Sequence, residues 1–266
     1  MNKDVSVAVL GSTGYVGLEI VNILNKHPNV NINFLGSENS QGKKIDDYSN
    51  NQKLKNLPLI DLNKNFNYKN VDYVFLALPH GISHKYVYNL FDKVKIIDLS
   101  ADFRLDSNSI YNKTYDNIHS CPYLLDKFVY GLAEINRNKI INSNNISIPG
   151  CYPTSILLPL IPLFQQKCIS SKNIIIDSKS GYSGAGKKYM VNNIKNTEDF
   201  NFYNYNTNSH RHISEIYQEL KKYTNSKVTF SFNPHILPNF RGMMSTIYCD
   251  LIDGFEINHI NKIYKN

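Results

Sequence analysis

The residues best suited to chemistry surround Cys151, in the segment Ile-Pro-Gly-Cys-Tyr-Pro-Thr over 148–154. Pro153 suits the first turn of a helix, where its missing N–H group would have no helical partner in any case. An apolar run over 155–164 follows, so we predict that Cys151 lies at a helix N-terminus. Backbone N–H groups and the helix dipole favour a thiolate there, and a thiolate is the form that attacks carbonyl carbon. A small buried hydrophobe is the alternative for this cysteine taken alone.

A second reactive segment, His210-Arg211-His212, precedes a predicted helix over 214–223. It supplies a proton acceptor and an anion-binding guanidinium within one helical turn. A metal site would use the same histidines, but the sequence offers no further ligands beside them, so we predict none.

Two other places could hold an anion. Arg104 follows a predicted strand over 95–99, and its planar fork suits phosphate oxygens, although a salt bridge to Asp102 or Asp106 is an equal alternative. The Gly- and Ser-rich loop over 178–187 ends at Lys187 and could surround an anion with backbone N–H groups. Its spacing is not that of a Walker loop.

A glycine-rich turn, Gly-Ser-Thr-Gly-Tyr-Val-Gly over 11–17, lies between a Val-rich strand over 5–10 and an amphipathic helix over 18–26. A strand, a turn of this kind and a helix form the opening of a dinucleotide-binding domain. Gly11 permits the tight turn, Gly14 lets the backbone approach a pyrophosphate, and Gly17 lets the helix pack on the strand. The phosphates would lie at the helix N-terminus. An ordinary strand-to-helix turn is the alternative.

The end of the second predicted strand bears on the type of cofactor. A NAD site usually has an acidic residue there for the ribose hydroxyls. This sequence has Ser37 instead, with Ser40, Lys43 and Lys44 close behind, and these groups suit a 2′-phosphate. We therefore favour NADP as the cofactor. NAD is the alternative, because Glu38 is an acidic residue near the end of this strand.

Alternating strands and helices predict an α/β fold with a Rossmann-type parallel sheet over 1–149. The strand over 72–78 ends at Pro79-His80-Gly81, and ligands of open parallel sheets bind at that edge, so this loop should lie against the cofactor. We predict a second, α+β domain over 150–266. Its last elements, 227–233 and 242–251, look like antiparallel strands, whereas the polar segment 106–145 shows order only around 130–134.

Composition excludes several classes of function. The chain has 266 residues and a net charge of +7, but its Lys and Arg residues are scattered in singles and pairs, which argues against nucleic-acid binding. Its four cysteines show no C-x-x-C spacing, which removes support for zinc or dithiol chemistry. The N-terminus lacks the pattern of a signal peptide and no apolar stretch is long enough for a membrane span. We expect a reduced, cytoplasmic protein without membrane contact.

Taken together, these segments resemble the N-acetyl-γ-glutamyl-phosphate reductase family of the semialdehyde dehydrogenase group. The resemblance covers nearly the whole chain, and Pro-Gly-Cys-Tyr-Pro-Thr with His-Arg-His is its most specific part. Aspartate-semialdehyde dehydrogenases share the architecture with a different cysteine context, so they are the near alternative. The matching segments are 11–17, 77–81, 98–104, 130–134, 149–154, 180–187, 210–216 and 238–242.

The resemblance implies a reaction in arginine biosynthesis. Cys151 would attack the acyl phosphate of N-acetyl-L-glutamyl 5-phosphate, phosphate would leave, and the thioester would accept hydride from NADPH to give the semialdehyde. His212, or else His210, would be the base. Arg211, Arg104 and Lys187 would hold the phosphate and the substrate carboxylate. The residues expected at the cofactor are Gly11, Ser12, Thr13, Gly14, Tyr15, Val16, Gly17, Ser37, Ser40, Pro79, His80, Gly81, Ser183 and Gly184.

Two departures from the family pattern qualify this expectation. Ser214 stands where the family usually has proline, and family members continue beyond the position of Asn266. We therefore expect a second domain that is incomplete at its C-terminus. A nucleotide-binding remnant without turnover is the non-enzymatic alternative, and a cysteine hydrolase is disfavoured by the glycine-rich turn. The family is expected to form homodimers or homotetramers.

Overall fold

The structure, a computed structural model, describes residues 5–49, 54, 57–187 and 201–265. The chain divides into two compact units, Met1–Pro149 and Gly150–Asn266. No helix within the ranges just given is long and apolar enough to cross a membrane.

Unit 1 is built on a six-stranded sheet in the order β2-β1-β3-β4-β6-β5, with every neighbouring pair parallel. The predicted parallel α/β fold is confirmed. Its strands are β1 Val5–Leu10, β2 Val30–Gly36, β3 Tyr73–Leu76, β4 Lys95–Asp98, β5 Val129–Tyr130 and β6 Asn145–Ser147. Its helices are α1 Tyr15–Leu24, α2 Ser83–Leu90, α3 Asn108–Tyr115 and α4 Ala133–Ile141.

The strand order reverses at β1, because β2 pairs with one edge of β1 and β3 with the other. Such a switch point leaves a crevice at the carboxyl ends of the strands, where ligands of these folds bind. The glycine-rich turn follows β1 and the Pro79-His80-Gly81 loop follows β3, so both predicted cofactor segments start from the two strands that flank this point.

Alternate side chains of β1 enter two separate cores. Val7 and Val9 pack with Val21 of α1 on one face of the sheet. Ala8 and Leu10 pack on the other face, in the core that includes Val87 of α2. A parallel sheet covered on both faces needs apolar residues at successive positions, which explains the unbroken apolar run of this strand.

Unit 2 holds a four-stranded mixed sheet in the order β10-β7-β9-β8. Its strands are β7 Ile174–Gly181, β8 Tyr203–Asn204, β9 Phe230–Leu237 and β10 Met243–Tyr248. Its helices are α5 Cys151–Gln165, α6 His212–Lys221 and α7 Ile257–Ile263. The expected antiparallel pairing is confirmed for β10 against β7 and for β9 against β8, whereas β9 runs parallel to β7. The long connection between β7 and β9, which includes α6, makes the parallel crossover possible.

The segment 106–145 contains more structure than the sequence suggested, namely α3, β5, α4 and the start of β6. The sequence did not indicate α3 because the helix buries only Tyr111 and therefore shows no apolar periodicity. Its start is capped by Ser107, whose hydroxyl accepts a hydrogen bond from the backbone N–H of Ile110 at 3.4 Å.

Replacing Gly11 by alanine should lower the free energy of unfolding by about 2–5 kcal/mol. Gly11 has a φ of +81°, which costs an L-residue about 1–2 kcal/mol, and an added Cβ would lie 2.2 Å from the carbonyl oxygen of Ala77. Gly42→Ala is the matched control, because Gly42 has a φ of +76° and open space around it. Urea unfolding should show a loss of only about 1–2 kcal/mol for the control. Equal losses would mean that the close approach to Ala77 costs nothing.

Candidate active site

Cys151 is the first residue of the 15-residue helix α5, so the predicted location at a helix N-terminus is confirmed. The helix is entered through Gly150, whose backbone is extended and whose carbonyl accepts the N–H of Thr154 at 2.9 Å. Cys151 is exposed and forms no disulfide, whereas Cys121 and Cys168 are buried and Cys249 is half-buried. Burial raises the pKa of the Cys121 thiol to about 11 and also raises the pKa values of Cys168 and Cys249. Among the four, Cys151 has the surroundings of a reactive thiol.

The turn before Cys151 is held by α6. The backbone N–H of Gly150 donates to Oε1 of Glu215 at 2.9 Å, and Glu215 is fully buried. A Cβ added to Gly150 would lie 2.7 Å from Nε2 of His212. The His212 ring therefore lies against the backbone of the residue that precedes Cys151. No side chain larger than hydrogen fits between them.

His210 and His212 differ in their hydrogen bonds. Nδ1 of His210 accepts the backbone N–H of His212 at 3.0 Å, and the two ring centroids are 4.7 Å apart. Burial, with a smaller contribution from the positive charge of Arg211, lowers the pKa of His210 to about 4. His210 is therefore neutral at physiological pH. Helix α6 begins at His212, two residues earlier than the sequence suggested, because this N–H is capped by the His210 ring.

These residues share one cavity of about 490 Å³. Its wall is mainly polar and aromatic and lies entirely within unit 2. The residues lining it are Cys151, Tyr152, Ser180, Gly184, Ala185, Tyr203, Tyr205, Asn206, Ser209, His210, Arg211, His212 and Ile236. The structure thus brings together four of the six residues predicted for chemistry and anion binding, namely Cys151, His210, Arg211 and His212.

The loop after β7 meets the cavity only in part. Gly184 lines the cavity, and a Cβ there would lie 2.9 Å from Oγ of Ser180. Ser183 donates its backbone N–H to the carbonyl of Phe240 at 3.0 Å. Lys187 is exposed. Neither Ser183 nor Lys187 is among the described residues of the cavity wall, so their predicted ligand roles stay predictions.

The glycine-rich turn of unit 1 has the form that a pyrophosphate needs. An added Cβ on Gly17 would lie 2.1 Å from the carbonyl oxygen of Gly11, so the start of α1 packs directly on the turn. Gly14, the residue before α1, has no side chain to cap the helix, and the first turn of α1 carries no acidic residue. The helix N-terminus is therefore electrostatically suited to an anion.

Hydroxyl groups around this turn hold it to β2. Ser12 donates its hydroxyl to the carbonyl of Gly36 at 3.0 Å, and the Thr13 and Ser37 hydroxyls are 2.8 Å apart. Ser40 is buried and accepts a hydrogen bond from the Tyr48 hydroxyl at 2.7 Å. Ser12 and Ser40, which we predicted to contact cofactor, thus have structural partners in this structure.

Sequence reasoning missed Asn63, which ties three segments together. Its Oδ1 accepts the N–H of Gly11 at 3.2 Å, and its Nδ2 donates to Oε1 of Glu38 at 2.9 Å. The same Glu38 oxygen accepts the hydroxyl of Tyr86 at 3.4 Å. Asn63 is buried in a short polar segment without any motif, so no sequence signal marked it.

Asp102 organises the Pro79-His80-Gly81 loop. Its carboxylate accepts the backbone N–H groups of Gly81 at 2.8 Å and His84 at 3.1 Å, and also the hydroxyl of Tyr111 at 2.8 Å. His80 is anchored separately, since its Nδ1 accepts the N–H of Ala101 at 2.9 Å. The loop predicted to face the cofactor is therefore built on fixed hydrogen bonds from the β4 end of the sheet.

Arg104, which we predicted to bind an anion, donates hydrogen bonds to backbone carbonyls. Nε donates to the carbonyl of Ile148 at 2.7 Å and Nη2 donates to the carbonyl of Leu99 at 2.8 Å. The residue is only 6% exposed. Arg104 thus binds backbone at the ends of β4 and β6, and its expected role as an anion ligand stays a prediction. The alternative of a salt bridge to Asp102 or Asp106 likewise stays a prediction.

Comparison with known proteins begins with two family models. Residues 6–143 match the model described as the NAD binding domain of semialdehyde dehydrogenase, and residues 151–266 match its dimerisation domain. The fold and the cysteine–histidine site thus define a semialdehyde dehydrogenase, with a nicotinamide-dinucleotide-binding domain in unit 1.

Curated relatives narrow the class. A protein of Acetivibrio thermocellus named N-acetyl-gamma-glutamyl-phosphate reductase is 41% identical over 98% of this chain and 76% of its own. An Ehrlichia canis protein of the same name is 42% identical over 98% of this chain and 76% of its own length. A rice protein, named as a probable chloroplastic one, is 39% identical over 99% of this chain, which spans 64% of the rice protein's length. The chain belongs to the N-acetyl-γ-glutamyl-phosphate reductase family of oxidoreductases.

Solved structures support the fold alone. Aspartate semialdehyde dehydrogenase II from Vibrio cholerae matches with a TM-score of 0.76 at 18% identity, over 99% of this chain and 79% of that one. Aspartate semialdehyde dehydrogenase from Candida albicans, solved with NADP, matches with a TM-score of 0.64 at 16% identity. The match covers 98% of this chain and 76% of that one.

Replacing Glu215 by alanine should destabilise unit 2 by about 1.5–3 kcal/mol, the usual worth of a hydrogen bond to a charged group. Glu215→Gln is the matched control, because its amide oxygen still accepts the N–H of Gly150. Urea unfolding followed in parallel should show a clearly smaller loss for the control. If glutamine and alanine cost the same, the contact with Gly150 is not what Glu215 contributes.

Proposed function

We propose that this chain performs the NADPH-dependent reduction of N-acetyl-L-glutamyl 5-phosphate to the 5-semialdehyde, with release of phosphate, in arginine biosynthesis. The observation that carries the proposal is the exposed Cys151 at the N-terminus of α5, sharing one cavity with Arg211 and His212. The names of the relatives support the acyl substrate.

The covalent step belongs to Cys151. Its thiolate attacks the acyl carbon, the carbon–oxygen bond to phosphate breaks, and phosphate leaves with the electron pair, so that a thioester remains on sulfur. After reduction at the same carbon, the carbon–sulfur bond breaks and the thiolate is regenerated. The N-terminus of α5 favours the anion before attack and after release.

We assign proton transfer to His212. Its Nε2 lies against Gly150, one residue before the nucleophile, whereas the Nδ1 of His210 already accepts a backbone hydrogen bond. Arg211 is exposed and lines the cavity, which supports a role for its guanidinium in binding the phosphate or carboxylate of the substrate. Lys187 is a further candidate for that anion.

The glycine-rich turn and the N-terminus of α1 would hold the cofactor diphosphate, with the loop over 79–81 beside it. The nucleotide, when bound, supplies hydride to the thioester carbon. We favour NADP because β2 ends in Ser37, with the exposed Lys43 and Lys44 following, and these groups suit a 2′-phosphate.

The test is the reverse reaction: phosphate-dependent reduction of NADP by N-acetylglutamate semialdehyde, read as NADPH absorbance. Cys151→Ser should reduce the rate on the order of a thousandfold or more, because a hydroxyl is a far weaker nucleophile at neutral pH. Cys249→Ser is the control and should retain activity. Activity that survives Cys151→Ser would overturn the mechanism.

Alkylation gives a second readout that does not require turnover. Iodoacetamide should modify Cys151 faster than Cys121, Cys168 and Cys249, whose thiol pKa values are raised by burial. Uniform slow labelling of all four would contradict the assignment of Cys151 as the nucleophile.

We also propose that unit 2 forms a homodimer through the outer face of its sheet. Ser178 and Ser245 point toward α5, where the hydroxyls of Ser155 and Ser245 are 2.7 Å apart. The alternate positions carry Ile175, Met244 and Tyr248, which are 46, 58 and 57% exposed, together with Asp177, Lys179 and Thr246. The exposed apolar residues of this face suit a second copy of the chain, in agreement with the dimerisation-domain model that covers this unit.

Replacing both Met244 and Tyr248 by lysine should convert the dimer to a monomer, because a two-fold interface would then bury four added charges. Ile257→Lys is the control, since Ile257 is 65% exposed on α7. Size-exclusion chromatography with light scattering gives the mass. A monomeric parent, or a double variant that stays dimeric, would contradict the proposal.

A further inference from the structure

We infer that His210 and Tyr205 are positioning residues for His212, linked in a hydrogen-bond chain that runs from the His212 backbone to the carbonyl of His235. The inference rests on the proposed function, in which His212 is the base. It separates the roles of two histidines that the sequence could not distinguish.

The chain begins at Nδ1 of His210, which accepts the backbone N–H of His212 at 3.0 Å. An N–H group can only donate, so Nδ1 must be the unprotonated nitrogen of the ring. In a neutral imidazole the proton then lies on Nε2. Nε2 of His210 is 3.5 Å from the hydroxyl oxygen of Tyr205, which it meets as the donor.

The two tyrosines continue the chain in one direction. The Tyr205 hydroxyl donates to the Tyr152 hydroxyl at 3.2 Å, and the Tyr152 hydroxyl donates to the carbonyl of His235 at 3.4 Å. A carbonyl can only accept, so the direction of every proton is fixed from the far end as well. The donor at one end of this hydrogen-bond chain and the acceptor at its other end are therefore compatible with the same arrangement, in which the proton of His210 is on Nε2.

The surroundings of His210 keep it neutral. Its ring lies edge-on to Tyr152, Tyr205 and Phe232, at centroid distances of 5.4, 5.6 and 5.6 Å. Among the described residues, Arg211 acts on it with a positive charge and the His212 ring lies 4.7 Å away. A second positive charge beside Arg211 would be unfavourable in this buried place, and burial itself favours the neutral ring.

A base at His210 would need a nitrogen able to take a proton toward the substrate. Nδ1 is bound to the His212 backbone and Nε2 already carries the proton that Tyr205 accepts. What the arrangement does instead is cap the first N–H of α6, which otherwise has no helical partner. This fixes the backbone of His212, and with it the ring that lies against Gly150.

The first test is direct and needs no turnover. In NMR of the chain with isotope-labelled histidine, His210 should show the Nε2–H tautomer and should not titrate between about pH 5 and pH 8. Tyr205→Phe, which removes the acceptor and keeps the ring, should perturb the Nε2 signal of His210. A proton on Nδ1, or titration near neutral pH, would overturn the inference.

The second test uses kcat and rescue. Asparagine can place its Oδ1 where Nδ1 of histidine was and so accept the His212 N–H, whereas leucine cannot. His210→Asn should keep kcat within about threefold of the parent, and His210→Leu should lower it about a hundredfold, each tenfold step being about 1.4 kcal/mol of activation free energy. His212→Asn should abolish activity.

Tyr205→Phe should lower kcat about tenfold with little change in KM, since it disturbs the position of a base and not substrate binding. Tyr217→Phe, at an exposed tyrosine of α6, is the control and should match the parent. If His210→Asn is as inactive as His210→Leu, His210 takes part in the chemistry itself and the inference is wrong. If His210→Leu equals the parent, the cap is dispensable and the inference is equally wrong. Loss of activity in Cys151→Ser tests the reaction separately.

Discussion

The site of unit 2 depends on Gly150, where the N-termini of α5 and α6 meet. Its N–H is bound by the buried carboxylate of Glu215, and its missing side chain leaves the space that the His212 ring fills. The His212 ring can lie this close to the start of α5 only because Gly150 carries no Cβ. The distance between Cys151 and His212 is therefore set first by backbone packing at Gly150.

In unit 1, glycine also allows backbone segments to approach closely, here at the turn between β1 and α1. Gly11 and Gly17 each face a carbonyl oxygen within 2.2 Å of the position that a Cβ would take. This brings α1 onto the end of β1 and presents its N-terminus beside the switch point of the sheet. Asn63 and Asp102, both buried, then fix the neighbouring loops through their amide and carboxylate groups. Backbone contact thus sets the position of α1, and buried polar side chains set the orientation of the neighbouring loops.

The His-Arg-His segment shows how neighbouring residues of like type come to differ. His210 turns inward against aromatic rings and caps a helix, Arg211 stays at the surface, and His212 begins α6 beside Gly150. The change of direction at a helix start separates side chains that are adjacent in sequence. The same segment therefore provides a neutral ring at His210, a cation at Arg211 and, at His212, the residue that we propose as the base.

The sequence by itself determined the parallel α/β fold, the helix start at Cys151, the glycine-rich turn and the family, because each rests on local spacing or on a motif. It did not reveal Asn63, Tyr205 or Glu215 as parts of the sites, and it did not predict the hydrogen bonds of Arg104 to two backbone carbonyls. Hydrogen bonds between residues far apart in the chain decide these roles: Gly150 and Glu215 are 65 positions apart, and Arg104 and Ile148 are 44 apart. Which partner a buried polar group finds is a property of the folded chain, and only the tertiary structure decides it.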